Sequence, residues 1–296
     1  MGGKPILEAA GHEVRVFCRP HPFGYPRGEL WMPGTPEVEE AFEWADLVIA
    51  HNEPRVFAIV ANGRRKPLIL HHHGSRFRRD CTGPYRHQLY HRAAAMGAVQ
   101  VVSTVDLLCG APGEVYWQPQ NIDLAKMRAI RAKGYVSGGR VRVAHAPTNR
   151  AIKGTRMLQQ NLRGLDIDFL LIEHQPWERC LRIKALADIY ADQFLLGYGN
   201  NAIEAWAMGM PVLAGADPRV LARMRAEYNG DLPFLTSDAD NLADNLRALA
   251  GSTRLRAQWA ERGMAHVEQF HAPTAWLARF EQLAALAFER FAERAA

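Results

Sequence analysis

The sequence predicts an α/β protein with two Rossmann-like, doubly wound domains built on parallel sheets. Three observations lead to this fold class. Short apolar runs alternate with segments of helical period along nearly the whole chain, as in βαβ units. The alternation occurs in two sets, one in each half of the 296 residues. Turn residues and glycines between Gln118 and Gly139 separate the two sets, and a long amphipathic segment ends the chain.

Apolar runs of strand length occur in both halves of the chain. The predicted strands of the first half are Val14–Phe17, Leu47–Ala50, Leu68–His71, Gln100–Ser103 and Val115–Gln118. Those of the second half are Val141–Ala144, Asp168–Ile172, Gln193–Leu196, Pro211–Ala214 and Phe234–Leu235. The intervening segments predict helices at Pro36–Trp44, Tyr85–Met96, Trp177–Ala187, Ala239–Ala250 and Thr253–Glu268. Strands separated by helices of this length favour parallel pairing.

These elements divide the chain into two domains and a final helix. We expect a first domain over residues 1–125 and a second over residues 126–272. The first domain opens with a short helix, Gly3–Ala10, where a strand and a glycine loop are expected. Residues 273–296 contain a helix, Pro273–Glu293, whose apolar residues recur at helical spacing, and we expect it to pack back on the first domain.

The composition is that of a globular protein, with 48% hydrophobic and 23% charged residues. No apolar run reaches the ~20 residues that span a bilayer, and the first residues lack a signal-peptide pattern, so we expect a cytoplasmic protein. The four cysteines are widely separated, which favours reduced thiols. The net charge of +5 includes basic clusters at Arg64–Lys66 and Arg76–Arg79. Such clusters attract nucleotides, nucleic acids and anionic lipids alike.

The segment Tyr198–Ala214 carries the strongest functional signal. A glycine-bearing turn runs into a short helix with one acid, Glu204, and Gly-Met-Pro then leads into an apolar strand. This order places a helix N-terminus at the carboxyl edge of a sheet, where open α/β folds bind phosphate groups. We expect the backbone amides after Gly199 to hold phosphates and Glu204 to reach a sugar hydroxyl.

A second signal is the segment His145–Thr155, which directly follows a predicted strand. Arg150 and Lys153 lie three residues apart in it, so we expect both cations to point to one position beyond the strand. Two cations there suit a diphosphate that gains charge as it leaves a sugar. The alternative is a surface loop with two solvated cations.

Together with Ala187–Gln193, these segments resemble retaining glycosyltransferases of the GT-B fold, in particular the large group with sucrose-synthase-like and bacterial mannosyl- and glucosyltransferases. The likeness is specific over Val141–Ala214 and fainter over Gly11–Asp123. It implies two Rossmann-like domains with the active site between them, and a nucleoside diphosphate sugar as donor, UDP- or GDP-linked. It implies transfer of a hexose or a similar sugar with retention at the anomeric carbon, and no cofactor.

The resemblance also implies roles for individual residues. Arg150 and Lys153 would bind the diphosphate, and Glu204 the ribose. The group often has a second glutamate eight residues earlier, against the transferred sugar, where this chain has Leu196. The full expected donor site is Gly74, Asn149, Arg150, Lys153, His174, Tyr198, Gly199, Asn200, Asn201 and Glu204.

Three consecutive histidines, His71–His73, follow a predicted strand of the first half. Adjacent side chains of an extended chain point in alternating directions, so the three cannot all bind one metal ion. The resemblance instead places His73 beside the transferred sugar, which it contacts by backbone or ring, and we count it with Arg150 and Lys153 as catalytic. Gly74 would allow close backbone approach.

No metal is expected. Asp166 and Asp168 imitate an Asp-x-Asp metal motif, but they stand at the start of a predicted strand, far from its functional end. Lys153, Arg150 and a helix N-terminus carry the leaving-group charge instead. His174 lies at the carboxyl end of the same strand, in a position to meet a nucleobase.

The sequence leaves the acceptor open among a glycan, a lipid, a protein and modified DNA. Two alternatives accompany the main hypothesis. One is transfer to a modified nucleic-acid base, which the basic first half allows. The other is a nucleotide-sugar-binding protein without transfer activity, motivated by Leu196 and the abbreviated start of the chain.

Overall fold

The computed structural model describes residues 3–18, 29–30, 34–52, 54–83, 87–136 and 138–295. The chain forms two compact units. One contains the described residues up to Gln120 together with those from Thr274 onward, and the other is Asn121–Pro273. Within the described ranges, no helix is long and apolar enough to cross a membrane.

The first unit is built on a four-stranded sheet in which neighbouring strands are parallel, in the order β3-β4-β5-β6. A separate parallel pair, β1 and β2, precedes it. The strands are β1 Phe17–Cys18, β2 Glu29–Leu30, β3 Val48–His51, β4 Leu68–His72, β5 Val99–Val102 and β6 Tyr116–Trp117. The helices are α1 Lys4–Ala9, α2 Pro36–Trp44, α3 Pro54–Ala61, α4 Gly74–Thr82 and α5 Gln88–Ala95, with a 3₁₀ helix at Val105–Gly110.

The last helix of the chain, α14 (Pro273–Glu293), packs on this sheet. Its residues Trp276, Phe280 and Leu283 are buried in one cluster with Ile69 and Val101 of the strands. The apolar spacing of the helix thus matches a buried face. Because burial of apolar surface is favourable, these aromatic and aliphatic contacts hold the helix to the unit.

The second unit has a six-stranded sheet. The strands β8, β7, β9 and β11 lie side by side in that order, and β10 and β12 both pair with β11. Only β10 is antiparallel. The strands are β7 Val141–His145, β8 Ile167–Leu171, β9 Ile189–Ala191, β10 Leu196–Gly197, β11 Val212–Ala216 and β12 Leu235–Thr236. The helices are α6 Leu124–Gly134, α7 Arg150–Lys153, α8 Thr155–Asn161, α9 Trp177–Lys184, α10 Asn200–Ala207, α11 Pro218–Tyr228, α12 Leu242–Gly251 and α13 Thr253–His266, which a π-helical turn at Val267–His271 continues.

The order of the parallel strands in the second unit is that of a doubly wound sheet. When the parallel strands β7, β8, β9, β11 and β12 are numbered 1 to 5 in chain order, their order in the sheet is 2-1-3-4-5. The direction of winding therefore reverses between β7 and β9. The carboxyl ends of strands at such a switch point are where open α/β sheets bind ligands. Both the loop after β7 and the loop after β9 therefore lie at the expected binding edge.

Most predicted elements are found, with three corrections. Gln193–Leu196 is not the third strand of the second sheet, because that strand is Ile189–Ala191, whose residues are fully buried, while Leu195 is 58% exposed. The strand predicted at Val14–Phe17 is reduced to Phe17–Cys18 outside the main sheet. The helix predicted at Tyr85–Met96 covers Gln88–Ala95, with His87 and Met96 as its caps, and Tyr85 lies outside the described residues.

Candidate functional site

The loop that follows β7 is anchored by a buried histidine. His145 is fully buried at the end of the strand, with Nδ1 2.8 Å from the Ala191 carbonyl and Nε2 2.8 Å from Thr155 Oγ1. Because a carbonyl only accepts, Nδ1 carries the proton and Nε2 accepts from the Thr155 hydroxyl. Burial lowers the pKa of His145, in keeping with this neutral form. The ring therefore joins β7 to β9 and α8 beneath the loop.

Asn149 and Gly154 shape the short helix α7 that presents the two predicted cations. The Asn149 Oδ1 accepts from the amides of Ala151 and Ile152 and caps the helix. Gly154 ends it at φ +69°, a conformation that glycine adopts readily. Asn149, expected in the donor site, thus uses its side chain to start the helix that carries Arg150 and Lys153.

Lys153 lies in an ionic arrangement with an acid at the end of β9. Its Nζ is 2.8 Å from Asp192 Oδ1, and the other oxygen of the same carboxylate accepts from the Gly199 amide at 2.6 Å. The Asp192 side chain is fully buried, and that of Lys153 is 12% exposed. The carboxylate therefore links the loop after β7 to the first turn of α10.

Arg150 contacts a different acid. Its guanidinium forms a two-pronged ion pair with Glu173, two residues beyond the end of β8, with Nε 2.8 Å from Oε1. This hydrogen bond lowers the pKa of Glu173 and raises that of Arg150. Arg150 is 59% exposed in its side chain, unlike Lys153. The two cations expected to share one position are thus each held by their own carboxylate.

Glu204 is a buried member of α10, and both of its oxygens are engaged. Trp177 Nε1 donates to Oε1 at 2.8 Å, and Lys184 Nζ is paired with Oε2. Lys184, whose side chain is fully buried, also donates to Asn201 Oδ1 at 2.7 Å. Since a carboxylate offers about four lone-pair positions, a sugar hydroxyl would share Glu204 with these donors.

Helix α10 begins at the binding edge with free amides. Gly199 is its N-cap, and Ala202 N donates to the Gly199 carbonyl. In the described part of the chain, the amides of Asn200 and Asn201 have no hydrogen-bond partner. Asn200 is exposed. A helix N-terminus with unpaired amides favours an anion.

Tyr198 takes a position that differs from its expected role in donor binding. Its ring is buried and contacts Trp206 edge-on, and its hydroxyl lies 2.9 Å from His266 Nε2 and 3.2 Å from His271 Nε2. Burial raises its pKa. The side chain belongs to an aromatic cluster under α10, so it stabilises the turn rather than presenting a ligand contact. The Tyr198 side chain lies on the side of the turn that faces the protein interior.

Two further predicted positions lie at strand ends. His174 follows β8 at φ +51°, an uncommon conformation for a residue with a side chain, and it is exposed. Leu196, which stands where relatives of the resembled group often have a glutamate, is in β10 and pairs with Ala216. Asp166 and Asp168 pair with Arg140 at the start of β8, away from the binding edge.

In the first unit, His73 directly follows β4 and Gly74 begins α4. The His73 amide donates to Asn52 Oδ1 at 2.6 Å, and its Nε2 is 2.8 Å from His51 Nδ1. Gly74 adopts φ +40°, and space for an added Cβ is open there. Both residues are thus at the carboxyl end of a central parallel strand. Desolvation, with smaller effects of His51 and His72, lowers the pKa of His73 to about 3, so its ring is neutral.

Sequence reasoning missed Asp192 and Lys184 as members of the site. Asp192 directly follows the short buried strand β9, and this position at a strand end is the signal that identifies it. Lys184 ends a helix whose spacing places it on the apolar face with Leu181. A lysine on such a face needs a buried acid, and Glu204 is that acid.

No protein-family model and no curated protein matches this chain. Solved structures do resemble it. HepE of Anabaena, in complex with UDP and glucose, has a TM-score of 0.61 and 14% identity over 84% of this chain and 80% of its own. AviGT4, a glycosyltransferase of avilamycin A biosynthesis, has a TM-score of 0.58 and 16% identity over 96% and 88%.

A third similar structure is an alpha-glucosyltransferase in complex with UDP and a 13-mer DNA containing an HMU base. Its TM-score is 0.60 at 8% identity, over 84% of this chain and 83% of its own. All three structural neighbours are GT-B type glycosyltransferases. At these identities the likeness establishes the architecture, and the two parallel sheets with their helices have the GT-B fold.

Proposed function

We propose that this protein is a glycosyltransferase that takes a hexose or a similar sugar from a nucleoside diphosphate sugar. The observation that carries the proposal is the set Lys153, Asp192, Gly199 and Glu204 at the switch point of the second sheet. A cation, a helix N-terminus and an acid at that edge match a diphosphate joined to a ribose. The likeness to structures that bind UDP and UDP-glucose supports a nucleotide-sugar partner.

The proposal gives each residue of the site a role, which these contacts support. Lys153 and the amides of Asn200 and Asn201 bind the diphosphate, and Arg150 joins them once it leaves Glu173. Glu204 accepts a ribose hydroxyl, and the backbone after β8 near His174 meets the base. The leaving phosphate gains negative charge during transfer, so a preorganised cation lowers the barrier.

His73 and Gly74 are assigned to the transferred sugar, which they contact by backbone. The proposal includes retention of anomeric configuration and independence of a protein-bound metal for the transfer step itself. Retention is tested by proton NMR of the glycosylated product, because the anomeric coupling constant distinguishes the two configurations. An inverted product contradicts this part alone.

The first experiment is a thermal-shift titration with UDP, GDP, ADP and their sugars. We expect one nucleoside diphosphate to raise the melting temperature, since a ligand that binds only the folded state stabilises it. The variant Lys153→Ala loses a charged hydrogen bond and should weaken the preferred nucleotide about 10- to 100-fold. Lys133→Ala, an exposed lysine of the same unit, is the matched control. Failure of every nucleotide to bind contradicts the proposal.

A second candidate function has a DNA base as the acceptor. It is favoured by the similar structure that holds DNA and by the basic residues Arg76 and Arg79 on α4. Binding to DNA would weaken steeply with salt, because each phosphate contact releases counterions. Fluorescence anisotropy with a short hydroxymethylated duplex at two salt concentrations tests it.

Nucleotide binding without transfer is the remaining outcome. It is motivated by Leu196, which cannot supply the carboxylate that the resembled group often uses against the sugar. Measurable binding with neither hydrolysis nor transfer, across UDP- and GDP-linked sugars and a panel of acceptors, would establish it. That result would support the nucleotide-binding site and contradict the proposed transferase activity.

A further inference from the structure

Three histidines of the first unit come together although they are not consecutive in sequence. His51 ends β3 and is paired in register with His71 of β4. His73 stands two residues beyond His71, so the two share a face of the extended chain. His72 points the other way, where its Nε2 lies 2.8 Å from Gln100 Oε1 and its ring stacks on Phe77.

The geometry of His51, His71 and His73 is compact. One nitrogen from each lies within 4.8 Å of the nitrogens of the other two. The rings of His71 and His73 are 4.2 Å apart between centroids, and those of His51 and His73 are 5.1 Å apart. Tetrahedral zinc with bonds of 2.0–2.1 Å requires ligand nitrogens roughly 3.4 Å apart. The 2.8 Å between His51 Nδ1 and His73 Nε2 lies below that spacing, and the 4.8 Å limit of the whole set lies above it.

An independent observation is the unpartnered nitrogen of His71. This side chain is 8% exposed, and its Nε2 makes no hydrogen bond. Buried polar atoms in folded proteins ordinarily have a partner, so an orphaned ring nitrogen beside two other imidazoles indicates a missing ligand.

The surroundings hold these rings in place. The Asn52 Oδ1 accepts the His73 amide at 2.6 Å, and Asn52 itself adopts φ +58°, which turns the chain at the end of β3. Parallel pairing fixes His51 opposite His71. Ligands on rigid strands are more precise than ligands on loops. The first two ligands lie on paired strands and the third follows directly.

We propose that His51, His71 and His73 form a binding site for one divalent transition metal ion of the zinc class. Three imidazoles suit Zn²⁺ and Co²⁺, whereas Mg²⁺ and Ca²⁺ prefer oxygen ligands. Three protein ligands leave the fourth position of a tetrahedral ion to water or to another oxygen donor. The expectation from sequence that three consecutive histidines cannot share an ion holds for His72, and His51 takes its place. The site shares His73 with the proposed transferase site, where the sugar is assigned to the His73 backbone and the metal takes its ring nitrogen. The metal proposal does not rest on the proposed transferase function.

The test uses the 296-residue chain, stripped of metal and then titrated with Zn²⁺ against a chromophoric chelator. We expect one equivalent to bind, and Co²⁺ to give the visible absorption of a tetrahedral site. His51→Ala and His73→Ala should each lower the affinity at least ~10-fold, since even outer-sphere changes cost that much. His12→Ala removes an exposed histidine outside the cluster and should change nothing.

Folding is checked separately, because a variant that fails to fold would lose the metal for that reason alone. Circular dichroism and the melting temperature of each metal-free variant identify any variant that fails to fold, and His51→Ala, at an exposed position, decides the result in that case. Absence of stoichiometric binding overturns the proposal, as does equal affinity in wild type, His51→Ala and His73→Ala. The titrations contain no nucleotide, so failure of the nucleotide site leaves this result unaffected.

Discussion

Lys184 and Glu204 form an ion pair inside the second unit, with the lysine side chain fully buried and the carboxylate 7% exposed. Trp177 donates to the same carboxylate, and Asn201 accepts from the lysine. Each charge is thus surrounded by partners that replace its lost hydration. The pair joins α9 to α10, and it fixes the residue proposed to bind ribose.

Removing one member of this pair should be costly. Lys184→Met leaves the Glu204 charge buried without its counter-ion, and we expect a loss of about 3–5 kcal/mol in the free energy of unfolding. The double variant Lys184→Met/Glu204→Gln removes both charges and should recover a large part of the loss. Urea unfolding followed by tryptophan fluorescence measures both.

The matched control for this experiment is Lys133→Met, which places the same substitution at an exposed position of α6. We expect a change within ~0.5 kcal/mol there. A Lys184→Met variant as stable as this control contradicts the interpretation that the buried pair is electrostatically coupled.

The Arg150–Glu173 pair should compete with a bound diphosphate. In Glu173→Gln the guanidinium loses its charged partner, so we expect tighter binding of the preferred nucleoside diphosphate by about three-fold, the modest effect of an exposed ion pair. Isothermal titration calorimetry measures the change. Weaker binding by Glu173→Gln would show that Glu173 supports the site by contacting the ligand.

Gly197 tests the packing beneath the turn that leads into α10. It adopts φ +84°, and an added Cβ would overlap the Met224 Cε. Gly209 adopts a similar φ of +74° with nothing within 4 Å of an added Cβ. We expect Gly197→Ala to destabilise the protein by about 1 kcal/mol more than Gly209→Ala, because only the first forces a buried side chain, the flexible end of Met224, to move in addition to the backbone strain. Equal melting temperatures would contradict this difference.

Acid should weaken the second unit through His266. Burial, with a smaller effect of His271, lowers the pKa of His266 well below 6.5, and its ring also contacts Tyr198 and Tyr228. Below pH 6.5 the unfolded chain binds a proton that the folded chain excludes. The free energy of unfolding is therefore unaffected by His266 above pH 6.5. As the pH is lowered below that value, this group reduces the free energy of unfolding by about 1.4 kcal/mol per pH unit.

The contribution of His266 is measured as a difference between proteins. The unfolding free energy of His266→Gln should fall less between pH 7 and pH 5 than that of the wild type. His12→Gln, at an exposed position, should follow the wild type. Parallel curves for wild type and His266→Gln would assign the acid sensitivity to other groups.

The fold was predictable from the sequence where an apolar segment of strand length is followed by residues that favour a turn. β7 and the loop after it were predicted at Val141–Ala144 and His145–Thr155, because a short, largely apolar segment is followed by turn-forming residues such as Pro147 and Asn149. β9 was misplaced because it has only three residues, and the equally short apolar run at Phe194–Leu196, five positions later, was taken for it. Short central strands owe their position to neighbouring strands rather than to their own residues.

The site was less predictable than the fold, for a physical reason. Lys153 and Glu204 could be selected by their place after strands and on a helix. Their partners Asp192 and Lys184 depend on contacts between residues 39 and 20 positions apart in the chain, and no local pattern encodes such pairs. The same holds for His51 and His73, which strand register alone brings together.

Asp192 has a consequence for how any phosphate group would enter. Its carboxylate holds the Lys153 ammonium and the Gly199 amide, two donors that an incoming phosphate oxygen would also require. The protein thus contains an intramolecular competitor, always present at high effective concentration. A phosphate that binds here must replace the Asp192 carboxylate at these donors. The strength of the Asp192 contacts therefore sets the nucleotide concentration that is needed to occupy the site.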